Sequence, residues 1–128
     1  MTAPLASTEE SRPLAEIRYD RAVDDLALGH LDDAVSGFQA ALAADPSYAD
    51  AAHGLIHALK NAGRIAEAVD AACALIAADP DDILAYTSLS ILYQHQGRIA
   101  EAEAAATRAK VLGWKHQLRQ HPPDENKT

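Results

Sequence analysis

Apolar residues in the chain recur at the three- and four-residue spacing that marks one face of a helix. Ala52, Leu55, Ile56 and Leu59 follow this spacing, and a second set follows it between residues 65 and 76. The pattern predicts two amphipathic helices separated at Gly63. Because each helix has one apolar face to bury, we expect the two to form a hairpin.

The same pattern repeats along the chain with a period of about 34 residues. Gly29, Gly63 and Gly97 recur at this spacing, and the sequence Gly-Arg-Ile-Ala-Glu-Ala occurs at both 63–68 and 97–102. Internal repeats of this length are typical of arrays of stacked supersecondary units. The chain is therefore predicted to hold three helical hairpins, at about residues 15–48, 49–82 and 83–116.

Turn and cap residues fit this division. Each repeated glycine ends a first helix without a Cβ penalty, and Asp45-Pro46 and Asp79-Pro80 end second helices, because proline disfavours helical geometry in the residue before it. Ser47 with Asp50 is predicted to cap the helix that opens the second hairpin. Four further acids lie at predicted helix starts, where capping accounts for them: Asp32, Asp33, Asp81 and Asp82.

These residues resemble the tetratricopeptide repeat family, whose 34-residue unit has large and small packing residues at fixed positions. In the third repeat those positions hold Tyr86, Leu89, Ser90, Tyr93, Gly97, Ala102, Ala106 and Ala109. The resemblance implies an all-α fold: an α-solenoid of three helix-turn-helix hairpins in a right-handed superhelical stack, with a short C-terminal cap. The repeat-like domain is predicted to span residues 13–116.

The two ends depart from the family pattern. In the opening helix Tyr19, Ala22, Val23 and Leu26 match only if the junction is one residue short. Trp114 replaces the terminal proline of the third repeat, and with a short helix over residues 115–120 it is expected to form a lid on the last hairpin. Residues 1–12 are predicted to be a flexible N-terminus, and residues 117–128 a cap remnant followed by a flexible tail.

Composition and charge narrow the class of protein. Hydrophobic residues make up 48% of the chain but aromatics only 5%, which suits closely packed alanine-rich helices better than a sheet sandwich. The net charge of −8 disfavours nucleic acid and anionic membranes as partners. No apolar run reaches the roughly 20 residues of a membrane span, and the N-terminus does not resemble a secretory signal. We therefore expect a cytoplasmic protein, with Cys73 buried or half-buried as a small hydrophobe.

The family resemblance implies that first helices line a concave groove that accepts an extended or helical peptide. Helical spacing outside the packing stripe predicts ten groove residues: Asp20, Asp24, Asp50, His53, His57, Lys60, Thr87, Ile91, Gln94 and His95. The acids of the first hairpin suggest a partner with basic residues. The lysine and asparagine set with which one branch of the family holds a C-terminal carboxylate is absent from the matching positions. We therefore expect an adaptor that binds a protein or peptide.

Two alternatives remain open. The charge runs from −6 in residues 1–48 through −4 in residues 49–82 to +2 in residues 83–128, which allows homo-oligomers that stack end to end. His53 and His57 share one face of a predicted helix, and His95 lies on the corresponding face one hairpin later, so a metal-responsive or pH-responsive groove is a lesser possibility. The sequence shows no catalytic constellation and no phosphate-binding loop, so we expect neither an enzyme nor a cofactor.

Overall fold

The computed structural model describes residues 8–122, and within that range every regular element is an α-helix. The six helices are α1 (Thr8–Ala27), α2 (Leu31–Ala44), α3 (Ala49–Asn61), α4 (Ile65–Ala78), α5 (Ile83–His95) and α6 (Ile99–Gln120). Helices α2, α4 and α6 begin at equivalent positions of successive repeats, and so do α3 and α5. The predicted all-α fold of three helical hairpins is confirmed.

The three repeated glycines end the first helix of each hairpin as expected. Gly29, Gly63 and Gly97 have φ angles of 79°, 78° and 72°, in the left-handed region that a side chain disfavours. In each case the next residue donates its N–H to a carbonyl five residues earlier, for example Arg64 N to Leu59 O at 2.9 Å. This is the hydrogen bond of a Schellman motif, which satisfies a carbonyl at the helix end.

The described residues divide into two compact units, with the boundary between Ala72 and Cys73 inside α4. In the first unit, α2 packs against both α1 and α3. In the second unit, α5 packs against α6.

Two glycines allow the close helix contacts of the first unit. A Cβ on Gly37 of α2 would lie 2.8 Å from the Cβ of Ala22 on α1. A Cβ on Gly54 of α3 would overlap the ring of Phe38, which is fully buried on α2. Helices approach this closely only where one side of the contact has no side chain, so these glycines set the spacing of α1, α2 and α3.

Asp45 organises the turn between α2 and α3. It is 1% exposed, and its Oδ1 accepts hydrogen bonds from Ser47 N at 3.0 Å and from Ser47 Oγ at 2.7 Å. Arg12 of α1 forms an ion pair with its other oxygen, and the guanidinium lies 4.3 Å from the centre of the Tyr48 ring. The hydrogen bonds from Ser47, and then that from Arg12, lower the pKa of the Asp45 carboxyl below its ordinary value. The predicted cap of α3 by Ser47 and Asp50 is wrong. The Ser47 side chain donates its hydrogen bond to Asp45, and the N-cap residue of α3 is Tyr48, which makes no side-chain cap hydrogen bond.

In the second unit, Asp82 caps α5 as predicted, since its carboxylate accepts the N–H of Ala85 at 3.0 Å. The buried Ser90 of α5 donates its hydroxyl to the carbonyl oxygen of Ala102 on α6 at 2.8 Å. This bond satisfies a polar group between two packed helices and fixes the register of the pair.

Three expectations about the ends need correction. Residues 8–12 belong to α1, so the helical part of the chain begins earlier than the predicted flexible N-terminus allows. Helix α6 runs without a break to Gln120, so residues 115–120 form no separate capping helix. Trp114 is 62% exposed and is therefore no lid. The other predicted flexible segments, residues 1–7 and 123–128, lie outside the described residues.

Cys73 also differs from expectation, because its side chain is exposed. The sequence gives no sign of this, since a small apolar side chain between alanines fits either face of a helix.

The glycine contacts predict opposite effects for two alanine substitutions. Gly54→Ala is expected to destabilise the fold by about 1–2 kcal/mol, because the overlap with Phe38 outweighs the gain in helix propensity. Gly113→Ala is the matched control, since Gly113 lies within α6 and a Cβ there meets nothing within 4 Å. It should stabilise by about 0.5–1 kcal/mol. Chemical denaturation measures both, and equal stabilisation by the two variants would contradict the close approach.

The Asp45 site predicts a pH dependence of stability. Its lowered pKa means that the carboxylate stabilises the fold above the unfolded-state pKa of about 3.9, and that this stabilisation is lost as the pH falls through the folded-state value. We expect Asp45→Asn to be less stable than wild type at neutral pH and to lose less stability on acidification. Thermal unfolding from neutral pH into the acid range measures both, and parallel curves for the two proteins would disprove the effect.

Candidate protein-binding surface

The first helix of each hairpin carries an exposed line of side chains at equivalent repeat positions. Three positions, separated by seven and four residues, share one helix face in α1, α3 and α5. All nine residues at these positions are exposed, and we call them the first-helix line: Glu16, Val23 and Ala27; Asp50, His57 and Asn61; Leu84, Ile91 and His95. Successive members are one repeat period apart, so the repeat itself produces the line.

In the first unit, two parts of this line lie on neighbouring helices. Helices α1 and α3 contact each other and both pack against α2, so α2 holds the two exposed faces side by side. The line here combines the acids Glu16 and Asp50 with Val23, which is 38% exposed. His57 lies within hydrogen-bonding distance of Asn61, with Nε2 and Nδ2 3.4 Å apart. This surface offers negative charge, hydrogen-bonding groups and a small apolar contact.

In the second unit, α5 presents a more apolar version of the same face. Leu84 is 55% exposed and Ile91 is 39% exposed. The exposed Thr87 beside them donates its hydroxyl to the carbonyl oxygen of Ile83 at 3.2 Å. Exposed aliphatic side chains on a helix of this kind offer contact area to an apolar side chain of a partner.

The ten predicted groove residues all lie on first helices, and most are exposed. The exposed ones are Asp20, Asp24, Asp50, His57, Thr87, Ile91, Gln94 and His95, whereas His53 and Lys60 are half-buried. Four of the ten belong to the first-helix line: Asp50, His57, Ile91 and His95. The others flank it, and Asp24 lies at its edge, toward the outer side of α1. As a set the ten residues remain a prediction.

Sequence reasoning misses Val23 and Leu84. It places Val23 in the packing stripe because it assumes a one-residue gap in the first repeat. The structure needs no gap, since Ala22 is buried against Gly37 at the same repeat position as the buried Ile56 and Ser90. With that register, Val23 corresponds to His57 and Ile91. The equal spacing of these three residues, one repeat period each, is the signal that could have found it.

The turns within the hairpins carry charged side chains that are paired with each other. Arg64 pairs with Glu67, and Arg98 pairs with Glu101 at the same repeat positions. The hydrogen bond from Arg98 lowers the pKa of the Glu101 carboxyl. In the first hairpin the corresponding residues are His30 and Asp33. Exposed pairs of this type contribute little to stability, so they serve mainly to solvate the turns.

In the part of the chain that the structure describes, one group of side chains has the spacing for a shared metal ion. The ligand atoms of Asp25, His30 and Asp33 lie within 4.8 Å of one another, and the three side chains are half-buried or exposed. His53, His57 and His95 do not form such a group among the described residues. An open cluster of three ligands lacks the buried second shell typical of a structural zinc site.

None of the helices within residues 8–122 combines the length and the apolar character needed to cross a membrane.

Comparisons with known proteins agree with the repeated helical hairpins described above. A family model described as Tetratricopeptide repeat matches residues 25–90, just over half of the chain. A crystal structure of MamA is 26% identical with a TM-score of 0.77 and covers 80% of this chain, and a second MamA structure is 23% identical with a TM-score of 0.76 and covers 88%. This chain spans only 60% and 61% of those two chains.

A third solved structure is the type III secretion translocator chaperone SycD of Yersinia enterocolitica. It is 22% identical, with a TM-score of 0.77, and the alignment covers 89% of this chain and 81% of that one. At this identity the likeness concerns the fold. None of the curated proteins compared with the chain matches it in sequence.

The histidines of α3 are expected not to hold zinc. His53 and His57 supply at most two ligands from one helix, and the His57 ring already contacts Asn61. Calorimetric zinc titration of wild type beside a His53→Ala, His57→Ala variant should therefore give the same weak response. Tighter zinc binding by wild type would contradict this interpretation and restore a metal-responsive surface.

Proposed function

The chain belongs to the tetratricopeptide repeat family, and from this premise we propose that it binds a protein segment on the first-helix line. Members of this family generally act as protein-interaction scaffolds rather than as enzymes. Repeat arrays of this kind present one face of successive first helices to a partner, which gains contact area without a deep pocket. The proposal concerns which residues of this chain make that contact.

The observation that carries the proposal is the exposure of apolar side chains at one repeat position. Val23 and Ile91 are 38% and 39% exposed, and His57, which is one repeat period from each in the sequence, is exposed as well. On the second helices the large exposed apolar side chains are Ile99, Trp114 and Leu118, all on α6, whereas α2 presents Ser36 and Gln39, so no large exposed apolar side chain recurs there from repeat to repeat. An apolar contact flanked by polar groups is typical of a binding surface.

The exposed charges of α1 and α3 indicate which residues of a partner they attract. Two of the three arginines on α1 are already engaged, because Arg12 pairs with Asp45 and Arg18 donates to the carbonyl oxygen of Ala40 at 2.9 Å. Glu16 and Asp20 are exposed on the same helix, and Asp50 follows on α3. We therefore propose a partner with basic residues where it meets α1 and α3; on α5 the exposed Leu84 and Ile91 favour apolar residues of a partner.

Peptide selection tests the location of the site. A displayed library of random peptides is selected on wild type, and binders are then measured against a His57→Glu, Ile91→Glu variant. The matched control is Ser36→Glu, Ala104→Glu, which adds the same charge at exposed positions of second helices. We expect at least about tenfold weaker binding to the first variant and unchanged binding to the control. Loss of binding in the control alone would move the site to the second helices.

The charge of the partner is tested on the selected peptides themselves. Replacing their Lys and Arg residues by Gln should weaken binding, and added salt should reduce the difference, because each exposed ion pair contributes only about 0–1 kcal/mol. Fluorescence anisotropy of labelled peptides measures both effects. Equal affinity of the basic and neutral peptides at low salt would reject the basic partner but not the surface.

A further inference from the structure

The outer side of α1, turned away from α2 and α3, carries a second stripe of exposed apolar side chains. Leu14, Ile17 and Leu28 are 44%, 67% and 69% exposed, and the exposed Arg21 lies among them. Leu28 is the first residue after α1 and continues its last turn, since its N–H donates to the carbonyl oxygen of Asp24 at 3.0 Å. The four residues are separated by three, four and seven positions, which places them on one face of α1 and its C-terminal turn. We call this surface the α1 stripe. It lies apart from the first-helix line, so an inference from it does not rest on the function proposed above.

The equivalent face of α3 is covered. Ala51 and Ala58, which follow Ile17 and Asp24 by one repeat period, are both fully buried. Ala51 belongs to the cluster with Ala41 of α2, so it is α2 that covers this face of α3. The α1 stripe is therefore a packing surface of the repeat that no described residue covers.

The other end of the repeat series is finished differently. Val35, Phe38 and Leu42 share the face of α2 that meets α3, and the residues two repeat periods later on α6 are Glu103, Ala106 and Lys110, all exposed. Polar residues on the outer face of a terminal repeat keep it from stacking further. Helix α6 follows this rule at Glu103 and Lys110, whereas α1 does not, although the exposed Trp114 lies on the same face of α6 one turn after Lys110. Regular end-to-end stacking would therefore set the leucines and the isoleucine of the α1 stripe against two charged side chains and one large apolar one.

We propose that the α1 stripe pairs with the α1 stripe of a second copy, in an antiparallel, two-fold symmetric dimer. Leu14 and Leu28 lie seven positions on either side of Arg21. When two α1 helices pair antiparallel about Arg21, Leu14 of each copy meets Leu28 of the other. The same pairing sets Arg21 opposite Arg21 of the second copy and Ile17 opposite Asp25 of that copy, so the apolar contacts are the two Leu14–Leu28 pairs. Asp24 of the second copy lies within one helical turn of each Arg21 and offsets the like charge at the centre, as a self-complementary two-fold interface requires.

The charges of the stripe favour this occupant. Within the described residues, neither Arg21 nor Asp24 forms an ion pair in the single chain, and both side chains are exposed. In the proposed dimer, two symmetric Arg21–Asp24 pairs form between copies beside the leucine contacts. Opposite charges placed in this way select the pairing and its direction more than they add affinity.

Sedimentation velocity across a wide concentration range tests the dimer. The expected result is a reversible monomer–dimer equilibrium for wild type, with a dissociation constant raised at least about tenfold in Ile17→Glu. Ile99→Glu is the matched control, because Ile99 is 55% exposed at the start of α6. It should dimerise like wild type. Circular dichroism of each variant verifies the fold.

Charge exchange tests the geometry. Arg21→Asp and Asp24→Arg should each weaken self-association, because each places like charges opposite one another. An equimolar mixture of the two variants should form a heterodimer, since the two carboxylates of one copy then face the two guanidinium groups of the other. The double variant Arg21→Asp, Asp24→Arg should self-associate again, because the exchange restores both opposite-charge pairs.

Three results would overturn the proposal. If the chain stays monomeric at every concentration, the α1 stripe does not bind a second copy, and residues 1–7 or a different protein would be the remaining candidates to cover it. Equal loss of association in Ile17→Glu and Ile99→Glu would indicate head-to-tail stacking. No association in the mixture of the two charge variants would exclude the antiparallel pairing.

Discussion

The first unit depends on the close approach of α2 to its two neighbours. Ala22 packs directly against Gly37, and the ring of Phe38 packs directly against Gly54. Helices α1, α2 and α3 therefore lie at distances that larger residues would not allow. This contact holds α1 and α3 side by side, and their exposed faces become one surface. The same spacing buries Ala51 against α2 and so shows which face of α1 has no cover among the described residues. The α1 stripe and the part of the first-helix line on α1 and α3 therefore both follow from the geometry around α2.

The repeat is fully predictable because each of its signals has a local physical cause. A glycine with positive φ ends the first helix, an Asp-Pro pair ends the second, and both recur at a fixed spacing. The ends are less predictable. Nothing in the residues from Trp114 to Gln120 forces a helix to continue or to stop, and the long α6 results because its alanine-rich sequence meets no breaker before Pro122. The ion pair of Asp45 cannot be predicted from local sequence patterns, because its partner Arg12 is 33 residues away in the chain.

For the binding surface, the sequence predicts the helices correctly but only part of the register. His57 and Ile91 are found because their repeats match the family pattern without a gap, whereas Val23 is assigned to the packing stripe because the first repeat is matched with a one-residue gap. In α1 the exposed leucines and isoleucine obscure the apolar periodicity that identifies a buried face elsewhere. The same side chains form the α1 stripe. The exposed apolar residues that depart from the expected pattern in α1 are thus the ones for which we propose a dimer contact.

The central claim is that the first helices carry the binding surface of this chain. The most direct measurement is an NMR titration of the isotope-labelled protein with a selected peptide, recorded residue by residue. We expect shift changes to concentrate around Val23, His57 and Ile91, with few changes at Ser36 and Ala104. Changes concentrated on the second helices, with the first-helix line unaffected, would contradict it.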